Sequence, residues 1–138
     1  MQATPPVSEQ TAALVSWFRT RKRSLPWRNQ TGAWGTWVSE IMLQQTRVEA
    51  VIPYWTRFME RFPTPESFAA ADEEEVLRYW AGLGYYRRAR MLHQAAQMVV
   101  KEGGDLPVTA TAWQRLPGVG GYASAAIASL VHGEAIAV

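Results

Sequence analysis

The feature that most constrains this chain is the spacing of its apolar residues. They recur at three- and four-residue intervals in segment after segment, and nowhere do they alternate as a half-buried strand requires. Gly, Pro and capping residues break the segments at short intervals, and no hairpin dipeptide of the Asn-Gly kind appears. The sequence therefore predicts an all-α fold in which helix follows helix across short loops. Its 138 residues suffice for one compact domain, which buries roughly two thirds of the surface of the unfolded chain. A content of 48% hydrophobic residues, with seven Trp, supplies the core, and no run approaches the length of a membrane span. The absence of Cys excludes disulfides and cysteine-ligated metals within the chain. Residues 1–8 lack the basic start and apolar core of a secretory signal, so the expected location is cytoplasmic.

Taken in order, residues 8–19 carry Ala12, Leu14, Val15 and Phe18 on a helical stripe, followed by a basic link and an extended Pro26. The segment 29–35 is turn-rich, and Thr36 is placed to cap the next helix, although Trp34 could already lie inside it. Thr46-Arg47-Val48-Glu49 has capping-box spacing. Pro53 marks a restart or kink in a helix bearing Tyr54, Trp55, Phe58 and Phe62. Thr64 with Pro65 opens a short turn through Ala71, and Asp72 to Glu75 forms a second box ahead of Val76 to Trp80. Gly82 and Gly84 stop that helix. A long one over residues 85–100 follows, with Leu92, Ala95, Ala96 and Val99 as its core stripe and Gly103-Gly104 as its stop. Thr111 and Gln114 match a further box, and a last helix covers residues 122–131.

Two segments carry chemistry. In Trp37-Val38-Ser39-Glu40-Ile41-Met42-Leu43-Gln44-Gln45-Thr46, helical spacing puts Glu40 on one face with Trp37, Ile41 and Gln44. A carboxylate taken out of water there is held toward its protonated form and can donate a proton near neutral pH. Periodicity alone favours a surface glutamate at the edge of that face, because exposed glutamates on amphipathic helices are common and buried ones rare. The second segment, Leu116-Pro117-Gly118-Val119-Gly120-Gly121, lies between two helical patterns and has the form of a helix-hairpin-helix. Its glycines open the backbone N–H groups ahead of Tyr122 to an anion such as a phosphate, and the apolar Val119 anchors the loop. The formal charge is only +2, but Arg19, Arg21, Lys22, Arg23 and Arg28 form one basic cluster and Arg87, Arg88 and Arg90 another. Such clusters suit phosphates as well as solvent.

These two motifs, with Gly82-Leu83-Gly84-Tyr85-Tyr86 between them and Leu25-Pro26-Trp27-Arg28 ahead, resemble the MutY-type adenine DNA glycosylases over residues 25–138. The resemblance implies a helix-hairpin-helix glycosylase fold, with an N-terminal helix and basic link over residues 1–24 and a six-helix-barrel catalytic domain over 25–138. It implies a monomer that binds double-stranded DNA, and no membrane, and removes adenine mispaired with 8-oxoguanine or guanine, with Glu40 protonating the flipped base. Protonation makes adenine a leaving group, and the sugar passes through an oxocarbenium-like state. By the same resemblance Gln45 intercalates near the lesion and Tyr85 wedges beside 8-oxoguanine. Leu116, Gly118, Val119, Gly120 and Gly121 hold DNA, while Arg23, Leu25, Trp27, Arg28 and Leu43 belong to the adenine pocket.

Tyr122 stands where bifunctional relatives such as endonuclease III carry a Schiff-base lysine. A phenol cannot form that imine, so the resemblance implies a monofunctional hydrolase in which the Tyr122 hydroxyl holds Glu40 or the sugar region. The family's second carboxylate, an Asp in a Val-Asp-Gly-Asn segment, follows the hairpin helix, and the four cysteines of a 4Fe-4S cluster and a domain reading 8-oxoguanine come later still. The expectation is that these residues form the N-terminal portion of a longer enzyme and lack adenine excision by themselves. Two other functions use the same features: a glycosylase of different base specificity, and a non-catalytic helix-hairpin-helix module that only binds DNA.

Overall fold

The computed structural model describes residues 26–27, 32–44 and 46–132. Among them lie α1 (Gly32–Met42), α2 (Val48–Arg61), α3 (Pro65–Ala69), α4 (Glu73–Trp80), α5 (Tyr86–Lys101), α6 (Ala110–Gln114) and α7 (Gly121–His132), with no strand. No helix among the described residues is long and apolar enough to cross a membrane. The expected helix over residues 8–19 and its basic link lie outside the described residues.

α1 is the central element. Trp34, Gly35, Thr36, Trp37, Val38, Ser39, Ile41 and Met42 are all buried, so the helix is enclosed on nearly every side rather than along one stripe. It packs chiefly against α7, and also against α2 and α5. Below its N-terminal half lies an aromatic cluster in which Phe58, Phe62 and Phe68 meet one another at centroid distances of 5.0 to 5.2 Å. Trp34 joins it against Phe68 at 5.6 Å, and Trp80 against Phe58 at 6.3 Å. Tilted and edge-on rings of this kind add to the burial of their large apolar area. Leu92, Ala95, Ala96 and Val99 are buried along α5, as their spacing predicts.

Local capping chemistry sets several helix starts. Thr64 and Ser67 form a reciprocal box at α3: Thr64 Oγ1 accepts the Ser67 N–H at 3.1 Å, and Ser67 Oγ accepts the Thr64 N–H at 3.2 Å. At α4, Asp72 Oδ1 accepts the Glu75 N–H at 2.9 Å. Glu75 does not close a box in return; its carboxylate takes a forked bond from Arg61 at 2.7 and 2.9 Å.

Three expected starts are corrected. Thr36 does not cap α1, which begins earlier at Gly32. The extra turn brings Trp34 inside, where its indole N–H donates to the Phe62 carbonyl at 2.9 Å. The Thr46 box does not form, because the Thr46 N–H closes a turn on the Leu43 carbonyl at 3.4 Å and Arg47 occupies the N-cap of α2 without a side-chain cap bond. α6 is capped by Thr109 rather than Thr111, Thr109 Oγ1 accepting the Ala112 N–H at 3.2 Å; that start turns Trp113 into the core. α2 runs through Pro53 from Val48 to Arg61 without a restart.

Candidate functional site

Glu40 occupies the last turn of α1 between the buried Ser39 and Ile41. It is half-buried, not enclosed as the face it shares with Trp37 and Ile41 suggests, and it is the only ionisable side chain on α1. Trp37, one turn earlier, is fully buried and lies edge-on to Trp113 of α6 at 5.1 Å, so the helix bearing Glu40 is keyed directly into the helix-hairpin-helix unit. The Trp37 indole nitrogen is buried without a hydrogen-bond partner. Its desolvation is a cost carried by the site.

α1 is pinned to its surroundings by side chains at both ends. Trp55 Nε1 donates to the Gly35 carbonyl at 2.9 Å, and Arg88 Nη1 donates to the Ile41 carbonyl at 2.8 Å. A helix leaves its last four carbonyls without intrahelical partners, so Ile41 offers an acceptor where a cation is electrostatically favoured.

The hairpin joins α6 to α7. Leu116 and Val119 are buried, as expected of an anchored loop, while Gly120 and Gly121 are exposed. Gly118 has φ of +80°, and a Cβ there would lie 3.0 Å from Met91 Cβ on α5, so the position needs glycine for both conformation and space. The Leu116 and Val119 N–H groups close turns on the Trp113 and Leu116 carbonyls at 3.1 and 3.2 Å, which leaves Gly120 and Gly121 exposed at the start of the 12-residue α7. Tyr122, the second residue of α7, is 73% exposed.

Tyr85 lines a hollow beside the start of α5. Its backbone is left-handed, φ 54° and ψ 51°, at the N-cap of α5, so the helix begins one residue later than expected, at Tyr86. Trp80 Nε1 bonds the preceding Gly84 carbonyl at 3.0 Å and fixes this loop, and the Tyr85 ring is 54% exposed. That open hollow, between the end of α1 and the start of α5, is lined by Gln44, Tyr85, Arg87, Arg88 and Met91. Met91 lines the hollow and also lies against Gly118, so hollow and hairpin adjoin.

The three arginines at the start of α5 do not act as one basic cluster. Arg88 turns inward to α1, Arg90 lies 3.2 Å from Glu73, and Arg87 is left facing the hollow. The reason is helical geometry, which sends neighbouring side chains to different faces. Trp27 is buried edge-on against Trp55 at 5.6 Å, and Leu43 is half-buried in the turn after α1. Arg23, Leu25, Arg28 and Gln45 lie outside the described residues. Sequence reasoning missed the roles of Arg88, Met91 and Trp113. Arg88 was detectable in principle, because it stands three residues after Tyr85 on one helix face.

A helix enclosed by others, ending in a carboxylate and keyed into a glycine hairpin, defines a helix-hairpin-helix protein. Residues 38–136 match the HhH-GPD superfamily base excision DNA repair protein family, and the chain belongs to that family. It is 48% identical to a human adenine DNA glycosylase, covering 96% of this chain and 27% of that protein. It is 42% identical to an adenine DNA glycosylase of Mycolicibacterium smegmatis, covering 91% of this chain and 43% of the relative. The chain thus spans between about a quarter and two fifths of the curated relatives it matches. Among solved structures, a thermostable thymine-DNA glycosylase superposes with a TM-score of 0.74 at 26% identity, over 92% of this chain and 61% of the other.

Proposed function

We propose that this chain is the part of an adenine DNA glycosylase that carries the proton donor, and that Glu40 is that donor. The observation that carries the reading is the setting of Glu40: a half-buried carboxylate in the last turn of an enclosed helix, held against the hairpin unit through Trp37 and Trp113. The likeness to adenine DNA glycosylases at 48% and 42% identity supports adenine over another base. The substrate is double-stranded DNA with adenine opposite 8-oxoguanine or guanine, and the protein acts as a monomer. Residues 25–138 serve as the catalytic domain. The exposed N–H groups of Gly120 and Gly121 at the α7 N-terminus receive a backbone phosphate, Tyr85 wedges into the stack, and Glu40 protonates the flipped base so that the glycosidic bond breaks toward an oxocarbenium-like sugar. Tyr122 has no amine to form an imine, so water completes a monofunctional hydrolysis. A 4Fe-4S cluster is bound through cysteine thiolates. This chain has no cysteine, so its residues do not fit such a cluster and no step passes through one.

The test is Glu40→Gln in the complete gene product, assayed in single turnover on a duplex with adenine opposite 8-oxoguanine. The amide keeps the shape and loses the proton, so release should fall by about 10²- to 10⁴-fold, the usual range for a general acid, while duplex affinity is retained. Adenine release at the parental rate by the variant excludes Glu40 as the donor. Retained affinity without release by either protein favours a module that only binds DNA.

A further inference from the structure

We infer that Arg88 is a positioning residue that couples the Tyr85 wedge to the C-terminal end of the Glu40 helix. Three contacts carry the inference. Arg88 Nη1 donates to the Ile41 carbonyl at 2.8 Å, one residue from Glu40. The guanidinium lies 4.4 Å above the centre of the Tyr85 ring, within the range of a cation–π contact. The Arg88 backbone N–H also bonds the Tyr85 carbonyl at 2.9 Å, so both ends of this arginine hold the same left-handed residue. One side chain therefore touches the ring that enters DNA and the helix terminus that carries the acid.

These contacts come with a cost. Arg88 Nη2 is buried with no partner, and no carboxylate pairs with the guanidinium among the described residues. Burial pulls Arg88 below the ordinary arginine value, opposed only in part by Tyr85. A guanidinium nitrogen kept from water with no partner lowers stability unless something offsets it. Tyr85 is likewise held in a backbone conformation that L-residues disfavour, and strain of this kind gathers where structure is set up for function. When Tyr85 is displaced by an entering duplex, Arg88 transmits the displacement to Ile41, and through one peptide link to Glu40. The mechanical link stands on the contacts alone; its effect on excision rests on the adenine glycosylase reading above.

The experiment compares Arg88→Met, Arg88→Lys, Tyr85→Leu and the Arg88→Met/Tyr85→Leu double variant in the complete gene product, by two readouts. The first is amide hydrogen exchange without DNA. Arg88→Met should speed exchange at residues 43–46 and 85–88 together while leaving residues 54–62 and the melting temperature unchanged, and Arg88→Lys should restore part of the protection. Unchanged exchange at residues 43–46 overturns the coupling whatever base the enzyme removes, as does faster exchange spread evenly over all helices with a lower melting temperature. The second is single-turnover adenine release. Arg88→Met should slow it roughly ten- to hundredfold, the scale set by misplacing a reacting group by up to about 1 Å. The double variant should be no slower than the slower single variant. Losses that multiply fully show that Arg88 does not act through Tyr85 and overturn the proposal. Absence of adenine release from the parent protein overturns the functional reading instead, and the exchange result still decides the coupling.

Discussion

The aromatic floor beneath the N-terminal half of α1 and the rim at its C-terminal end are built on opposite terms. In the floor, Phe58, Phe62 and Phe68 are fully buried, and the indoles of Trp34 and Trp55 both find backbone carbonyls. At the rim, Tyr85 has a left-handed backbone, Arg88 keeps an unpartnered nitrogen, and Tyr122 stands in solvent. The floor follows the rules that stabilise a fold, close packing and matched hydrogen bonds. The rim departs from them where α1, α5 and the hairpin meet, which is where the proposed chemistry lies. Departures from local consistency concentrate at functional sites because geometry needed for reaction is not the geometry of lowest energy.

The contrast can be broken by substitutions in each region. The largest stability effect is expected from Phe58→Ala, which removes a ring touching Trp34, Phe62, Phe68 and Trp80. Chemical denaturation should show a loss of about 3–5 kcal/mol, the range for a truncated core Phe. A loss under about 1 kcal/mol means that the floor relaxes freely and is no more tightly built than the rim.

The next effect is at the hairpin. Gly118→Ala meets both a positive φ and Met91 Cβ at 3.0 Å, whereas at Gly120 nothing lies within 4 Å of an added Cβ. Gly118→Ala should therefore cost about 1–3 kcal/mol, combining left-handed strain with crowding. Gly120→Ala should stay within about 0.5 kcal/mol in the same denaturation series. Equal losses at the two positions show that the hairpin is pliant and that Gly118 is not its fixed point.

The smallest effect separates a cap that forms from one that only reads as a cap. Thr64→Ala removes the acceptor of the Ser67 N–H and should lower stability by about 1 kcal/mol. Thr46→Ala should change it by less than about 0.5 kcal/mol, since Arg47 holds the N-cap of α2 without a side-chain bond. A Thr46 effect matching that of Thr64 places a working cap at the start of α2 and makes the rim more conventionally built than its contacts indicate.

The all-α class, the order of the helices, the α5 stripe of Leu92, Ala95, Ala96 and Val99, and the caps at Thr64 and Asp72 were legible in the sequence, because each depends on spacing within one segment. The Glu40 segment and the glycine hairpin were legible for the same reason: a carboxylate in an apolar run and paired glycines between helices are local signals. Tertiary structure decided the rest. It moved the start of α1 to Gly32 so that Trp34 could reach the Phe62 carbonyl, and gave the N-cap of α6 to Thr109 so that Trp113 could meet Trp37. It also divided Arg87, Arg88 and Arg90 among a hollow, a helix end and a glutamate. Each decision turned on a partner far away in the chain, as with Arg88 and Ile41, 47 residues apart. Periodicity records which residues share a face of one helix; the partner across that face is fixed only when helices pack.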